Sequence, residues 1–130
     1  MAKFIKLEDW NWLNIDKVEQ MFDEMSMWQD GKMTYAKSKI YAITEGGTQF
    51  TILDITSAGV VPEGEKWMFS EALEVKAKLE LACILEWLAT IAANSDNTVA
   101  KVPGDMRMNL IIAMNAIVNN TTAEGVEECE

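Results

Sequence analysis

The chain has 130 residues, 49% of them hydrophobic, and a formal net charge of −10 from 11 Lys and Arg against 21 Asp and Glu. That apolar content argues against a disordered chain, and the length suits a single domain. With no His, the sequence excludes His triads, His-ligated zinc and imidazole acid–base chemistry; its few cations, with Arg107 the single Arg, disfavour nucleic acid.

In chain order, residues 3–7 (Lys-Phe-Ile-Lys-Leu) read as an opening strand, followed across a polar turn by Trp10, Trp12 and Leu13. Over 16–27, Val18, Met21, Phe22 and Met25 have the spacing of an amphipathic helix, with Asp16 and Glu19 as a capping-box variant. Asp30-Gly31 signals a turn. Residues 38–45 and 48–55 are β-rich runs separated by Gly46-Gly47, which predicts a hairpin with a two-residue primed turn. Apolar side chains on both faces of that hairpin predict a sheet covered, at least in part, on both sides. Residues 56–66, with two Gly and Pro62, read as a loop.

Ser70 is the expected N-cap of a helix running to Ala93, with Glu71 and Glu74 in its first turn. Its second half, from Leu81, is apolar nearly all round except for Glu86. Asp105 is the expected N-cap of a second helix over Met106–Asn119, again apolar apart from Asn109 and Asn115. Residues 120–130 read as a solvated, poorly ordered acidic tail that carries four Glu. The expected fold is therefore α+β in one domain: a small antiparallel sheet over 3–55, then two long apolar C-terminal helices within 67–119.

Catalytic signatures are missing. Gly46-Gly47 lacks the Lys-Ser/Thr and following helix of a phosphate loop, and no Ser-His, Cys-His or Cys-x-x-Cys pattern occurs. Cys83 lies in an apolar helical pattern and is expected as a buried structural thiol; Cys129 sits in the acidic tail. Burial of Glu86 among apolar neighbours would raise its pKa, but contact with solvent or a partner's polar group is the preferred reading. No enzyme activity, cofactor or metal is expected. The N-terminus carries no signal-like segment, and no apolar run reaches the roughly 18 residues needed to span a bilayer. A cytoplasmic protein, or one in a particle assembled there, is expected.

Two helices apolar on more than one face leave more apolar surface than a small sheet can cover, and such surplus marks an interface. The expectation is a non-enzymatic protein that forms a homo-oligomer or docks on a larger assembly, with no nucleic-acid or membrane partner. The contact candidates are Trp10, Trp12 and Trp28, then Leu85, Trp87, Leu88 and Ile91 on the first helix, and Leu110, Ile111, Met114 and Ile117 on the second. Two alternatives stay open: an acidic inhibitor of a protein with a basic groove, and a small-ligand-binding protein.

The runs Phe4–Leu7, Trp12-Leu13-Asn14-Ile15-Asp16-Lys17-Val18, Ser38–Tyr41 and Thr48–Ile52 resemble the FlbD-type small β domains, short proteins of bacteria and phages. Their pattern is a strand, an Ile/Leu-Asn-x-Asp-x-Ile/Val turn into a second strand, a Gly-containing hairpin and a helix. The resemblance covers about residues 3–80, implies no catalytic residue, and implies a phage or bacterial accessory protein; the surplus apolar helix surface and the lack of catalytic motifs make a phage structural or accessory component the expected role. It also implies that 17–24 is a strand. The strand is favoured over the helical spacing because a lone hairpin needs sheet partners, although the gap from Asp23 to Lys37 is longer than such domains usually show.

Overall fold

The computed structural model describes residues 3–8, 11–93 and 98–123. Eight strands and two helices are arranged as an α+β fold: β1 (Lys3–Lys6), β2 (Trp12–Asn14), a 3-10 turn (Ile15–Lys17), β3 (Val18–Asp30), β4 (Met33–Thr44), β5 (Gln49–Val60), β6 (Glu65–Trp67), α1 (Glu71–Ala93), β7 (Thr98–Ala100), α2 (Gly104–Val118) and β8 (Thr121–Ala123). The expected helices are present, but α1 sits mid-chain and strands follow both helices. The expected single antiparallel sheet is instead three sheets: antiparallel β3-β4-β5, mixed β2-β1-β7 with β1 parallel to β7, and the pair β6-β8.

The central sheet is longer than the sequence suggested at both ends. Residues 18–30 form a strand, the reading favoured for 17–24, and it runs on to Asp30 despite the helical spacing. Met21, Met25 and Met27 share the inner face, while Phe22 lies on the outer face and stacks on Tyr41 with ring centroids 5.2 Å apart. A strand with apolar residues on both faces, and a register shift between Val18 and Gln20, imitates the i, i+3, i+4 pattern. Residues 56–60, expected as loop, continue β5, because Ser57 and Gly59 pair in register with Ala36 and Thr34.

The β4–β5 connection is a hairpin, but its loop has three residues rather than two. The Gly47 N–H donates to the Thr44 carbonyl at 2.8 Å and the Thr44 N–H to the Thr48 carbonyl at 3.0 Å. Only the second glycine, Gly47 at φ 82°, takes the left-handed conformation that closes such a turn.

Helix α1 starts as expected: Ser70 Oγ accepts from the Leu73 N–H at 3.3 Å. Helix α2 does not. It begins at Gly104 after Pro103, whose fixed φ suits a helix start, and has no side-chain cap; Asp105 lies within its first turn, where its charge still complements the dipole. The C-terminus of α2 is held by side chains from distant strands. Thr34 Oγ1 donates to the Val118 carbonyl at 2.7 Å and Trp67 Nε1 to the Ile117 carbonyl at 2.8 Å, so carbonyls that every helix end leaves without intrahelical donors are satisfied across the core. Gly59 permits this approach, since a Cβ there would lie 2.6 Å from the Val118 carbonyl oxygen. Lys3, almost fully buried, does the equivalent for α1, with Nζ donating to the Ala92 carbonyl at 2.6 Å. Residues 121–123, expected in the tail, are ordered as β8: Thr121 Oγ1 donates to Glu65 Oε1 at 2.7 Å and Asn120 brackets Met68 through two hydrogen bonds. The rest of the expected tail lies outside the described residues.

The core lies between the inner face of β3-β4-β5 and the two helices. Ile40, Leu53 and Ile55 meet Ala77, Leu81, Ile84 and Leu88 of α1 and Leu110, Met114, Ile117 and Val118 of α2, with Ile5 and Leu13 from the smaller sheet. Each of these Leu, Ile, Val and Met side chains contributes about 1.5–3 kcal/mol when fully buried. The polar exceptions are bonded: besides Thr34, Ser38 donates to the Met114 sulfur at 3.1 Å.

Candidate interaction surfaces

The expected contact residues divide by burial. Leu88, Leu110, Met114 and Ile117 are buried within the chain and form its core, so in this fold they are not open to a partner. Leu85, Trp87, Ile91 and Ile111 are half-buried at the margin of the core. Trp12 and Trp28 are exposed. Trp10 lies outside the described residues.

The outward helix faces carry different residues. The buried stripe of α1 is Ala77, Leu81, Ile84 and Leu88. Its opposite side presents Val75 and Leu79, one helical turn apart, then Cys83, Glu86, Ala89 and Ala93, all exposed; Leu79 is 61% exposed. Cys83 is therefore not the buried thiol expected. It follows directly on the outward side of Ala82 and stands about 100° round the helix from the buried Ile84. Glu86 is exposed, in keeping with the preference for solvent or a partner over an apolar pocket. On α2, Met108 and Ile112 face outward, again one turn apart, with Ile112 56% exposed and Asn109 and Asn115 beside them. Sequence reasoning missed these four aliphatic side chains, although the i, i+4 pairs were legible. In a helix apolar nearly all round, periodicity does not say which stripe faces inward.

The outer face of β3-β4-β5 is polar and aromatic. Trp28 stacks on its cross-strand partner Tyr35 as Phe22 does on Tyr41, each pair 5.2 Å between centroids. Between these pairs runs the row Glu24–Lys39–Asp54, with Lys37 3.9 Å from Asp54 and the Lys39 ammonium 5.1 Å from the Tyr41 ring. The Tyr41 hydroxyl is raised above its ordinary pKa of 10.0, chiefly by its hydrogen bond to the Glu24 carboxylate, then by desolvation and the nearby charge. Acids and lysines thus alternate on this face. Strand β3 is an edge strand carrying Glu19, Asp23, Glu24 and Asp30 and no cation, a composition that discourages edge-to-edge pairing with a second copy.

Among the described residues no group of three or more Cys, Asp or Glu could hold a metal ion, and no helix is long and apolar enough to cross a membrane. No family model, curated protein or solved structure matches the chain.

Proposed function

We propose that the protein works without catalysis, as an assembly component that joins a second copy of itself through the outward face of α1, with the Met108–Ile112 face of α2 available to the same or a larger assembly. The observation that carries this reading is the outward apolar stripe of α1, which the chain's own core leaves uncovered. Exposed Val75 and Leu79 alternate with the exposed Lys76 and Lys78, and from Leu81 to Ala93 the helix carries Glu86 as its only charge. A 23-residue helix is about 35 Å long, enough for an interface of the size a stable dimer needs, about 1,000 Å² or more.

Charge supports self-pairing. Two copies of α1 crossing antiparallel about Ala82 set Glu86 of one beside Lys78 of the other, and Val75 beside Ala89. Lys78 is exposed and lies 3.7 Å from the half-buried Glu74, an i, i+4 contact too long for a hydrogen bond. The alternation of acids and lysines on the outer sheet face favours this reading over capture of a basic groove. A role as an accessory component of a particle accords with the resemblance to the FlbD-type domains.

Light scattering across a concentration series tests it. The wild-type chain is expected to run as a dimer or higher oligomer. Leu79→Asp, at an exposed position, is expected to give monomers with an unchanged circular dichroism spectrum. A wild-type chain that stays strictly monomeric at about 100 μM and binds no particle refutes the proposal.

A further inference from the structure

A cavity of about 390 Å³ opens where three distant pieces of chain meet: the end of β1, the middle of β5 and the segment joining β7 to α2. Its size is that of a small-molecule site. Leu7, Ile52 and Val102 line it as apolar wall, and Lys6, Lys101 and Arg107 as cations, with Glu8 the one carboxylate among the described lining residues.

Two features of the backbone build it. In β5, Ile40 pairs with Leu53 and Tyr41 with Thr51, so Ile52 is the extra residue of a bulge. Ile52 and Leu53 are consequently both buried instead of alternating, and Ile52 is turned into the cavity. The parallel pairing of β1 with β7, Ile5 opposite Ala100, then brings Lys101 and Val102 beside Lys6 and Leu7.

The described lining residues sum to +2 in a chain of −10, a local concentration of cations. Arg107 already holds a carboxylate, Nε donating to Glu8 Oε1 at 2.6 Å in an exposed pair. Past Glu8 a second cavity of about 270 Å³ continues along β5 to Leu53 and Asp54. The groove is thus cationic at one end, acidic at the other and apolar between. Glu8 repels a phosphate dianion more than a monoanion, and an apolar body meets the wall of Leu7, Ile52 and Val102.

We infer that this groove binds a small amphipathic carboxylate, its apolar body on Leu7, Ile52 and Val102 and its head group at Lys101 and Arg107. The inference is independent of the helix-mediated assembly above. The test titrates the full chain with octanoate, using octylamine and inorganic phosphate as comparison probes, by calorimetry and amide chemical shifts. Octanoate is expected to saturate and to move the amides of Leu7, Ile52, Val102 and Arg107. Both Lys101→Glu and the milder Lys101→Met are expected to weaken it, the former by about tenfold; Lys101 is exposed, so both variants keep the fold. Lys32→Glu, at the distant β3–β4 turn, is expected to leave it unchanged. Absence of saturable octanoate binding overturns the inference, as do equal binding of octylamine or phosphate, shifts confined to the outward helix faces, or unchanged affinity in both Lys101 variants.

Discussion

Gly59 is the one described glycine at which an added methyl group meets other atoms. Its Cβ would stand 2.6 Å from the Val118 carbonyl oxygen, 2.8 Å from Thr34 Oγ1 and 3.0 Å from Asn119 Oδ1. The asparagine can swing away, but the Val118 carbonyl belongs to the last turn of α2 and can move only with the helix. Moving it stretches the 2.7 Å hydrogen bond from Thr34, which supplies the donor that this buried carbonyl otherwise lacks. Overpacking costs about 1–3 kcal/mol, and a buried acceptor left unpaired about 1–3 kcal/mol more. Against these stands a gain of about 0.5–1 kcal/mol from replacing Gly within a strand. Gly59→Ala should therefore lose about 2–4 kcal/mol net. At about 2.1 cal/mol/K per residue, each kcal/mol is worth about 4 °C in a chain this long, so the melting temperature should fall by roughly 8–15 °C. Urea unfolding gives the free energy directly. Thr34→Val, which removes only the hydroxyl, should cost about 1–3 kcal/mol, and the double variant should cost less than the sum because both substitutions act on one carbonyl. A Gly59→Ala chain within about 0.5 kcal/mol of wild type, or strict additivity with Thr34→Val, would falsify the view that this contact locks α2 to the sheet.

Lys3→Met should lower stability by about 1–2 kcal/mol, read by thermal melting, because it strips the cation from the Ala92 carbonyl at the negative end of α1. Leu110→Ala should lose about 2–5 kcal/mol as a core truncation, while the molecules that remain folded keep the wild-type oligomeric state by light scattering. The Tyr41 phenol, held neutral beside Glu24, should ionise above pH 10 in the folded chain. Its contribution is complete below pH 10, where the unfolded chain is also protonated, and is lost as pH rises from there through the folded pKa; Glu24→Ala should bring the tyrosinate absorbance titration back toward pH 10. In a Cys129→Ser background, Cys83 should react with a thiol reagent without unfolding, and protection of Cys83 at high protein concentration would report self-pairing of α1.

What the sequence disclosed follows from how local each signal is. The β4–β5 hairpin and the Ser70 cap were legible because each is decided within a few residues. Strand β3 was favoured from the need of a hairpin for sheet partners and not from its period: Phe22 and Trp28 stack outward on Tyr41 and Tyr35, so apolar residues stand on both sides of the strand and the period of two is blurred. The cap of α2 was misplaced because Pro103 can start a helix without a side-chain acceptor. The cavity beside Ile52 left no local trace. Its walls come from residues 6–8, 52 and 101–107, which meet only once β1 pairs with β7 and β5 bulges, and both events depend on the assembled sheets.

The surplus of apolar helix surface divides into two parts once the core is known. One part is internal: Leu88, Leu110, Met114 and Ile117 cover the inner face of the central sheet, and their loss would be felt as stability. The other part is Val75 and Leu79 on α1 and Met108 and Ile112 on α2, whose exposure has no counterpart in the fold itself. Stability alone would favour charged residues there, since exposed helix positions accept Glu and Lys at no cost in propensity. The first half of α1 does place Lys76 and Lys78 among these positions, whereas the stretch of α1 after Leu81 keeps only Glu86. A chain carrying −10 has acids to spare, and four of them lie in the last seven residues instead of on the helix face. That distribution puts net charge outside α1 while leaving much of one helix face apolar, the arrangement a surface needs if it is to be covered by a second copy.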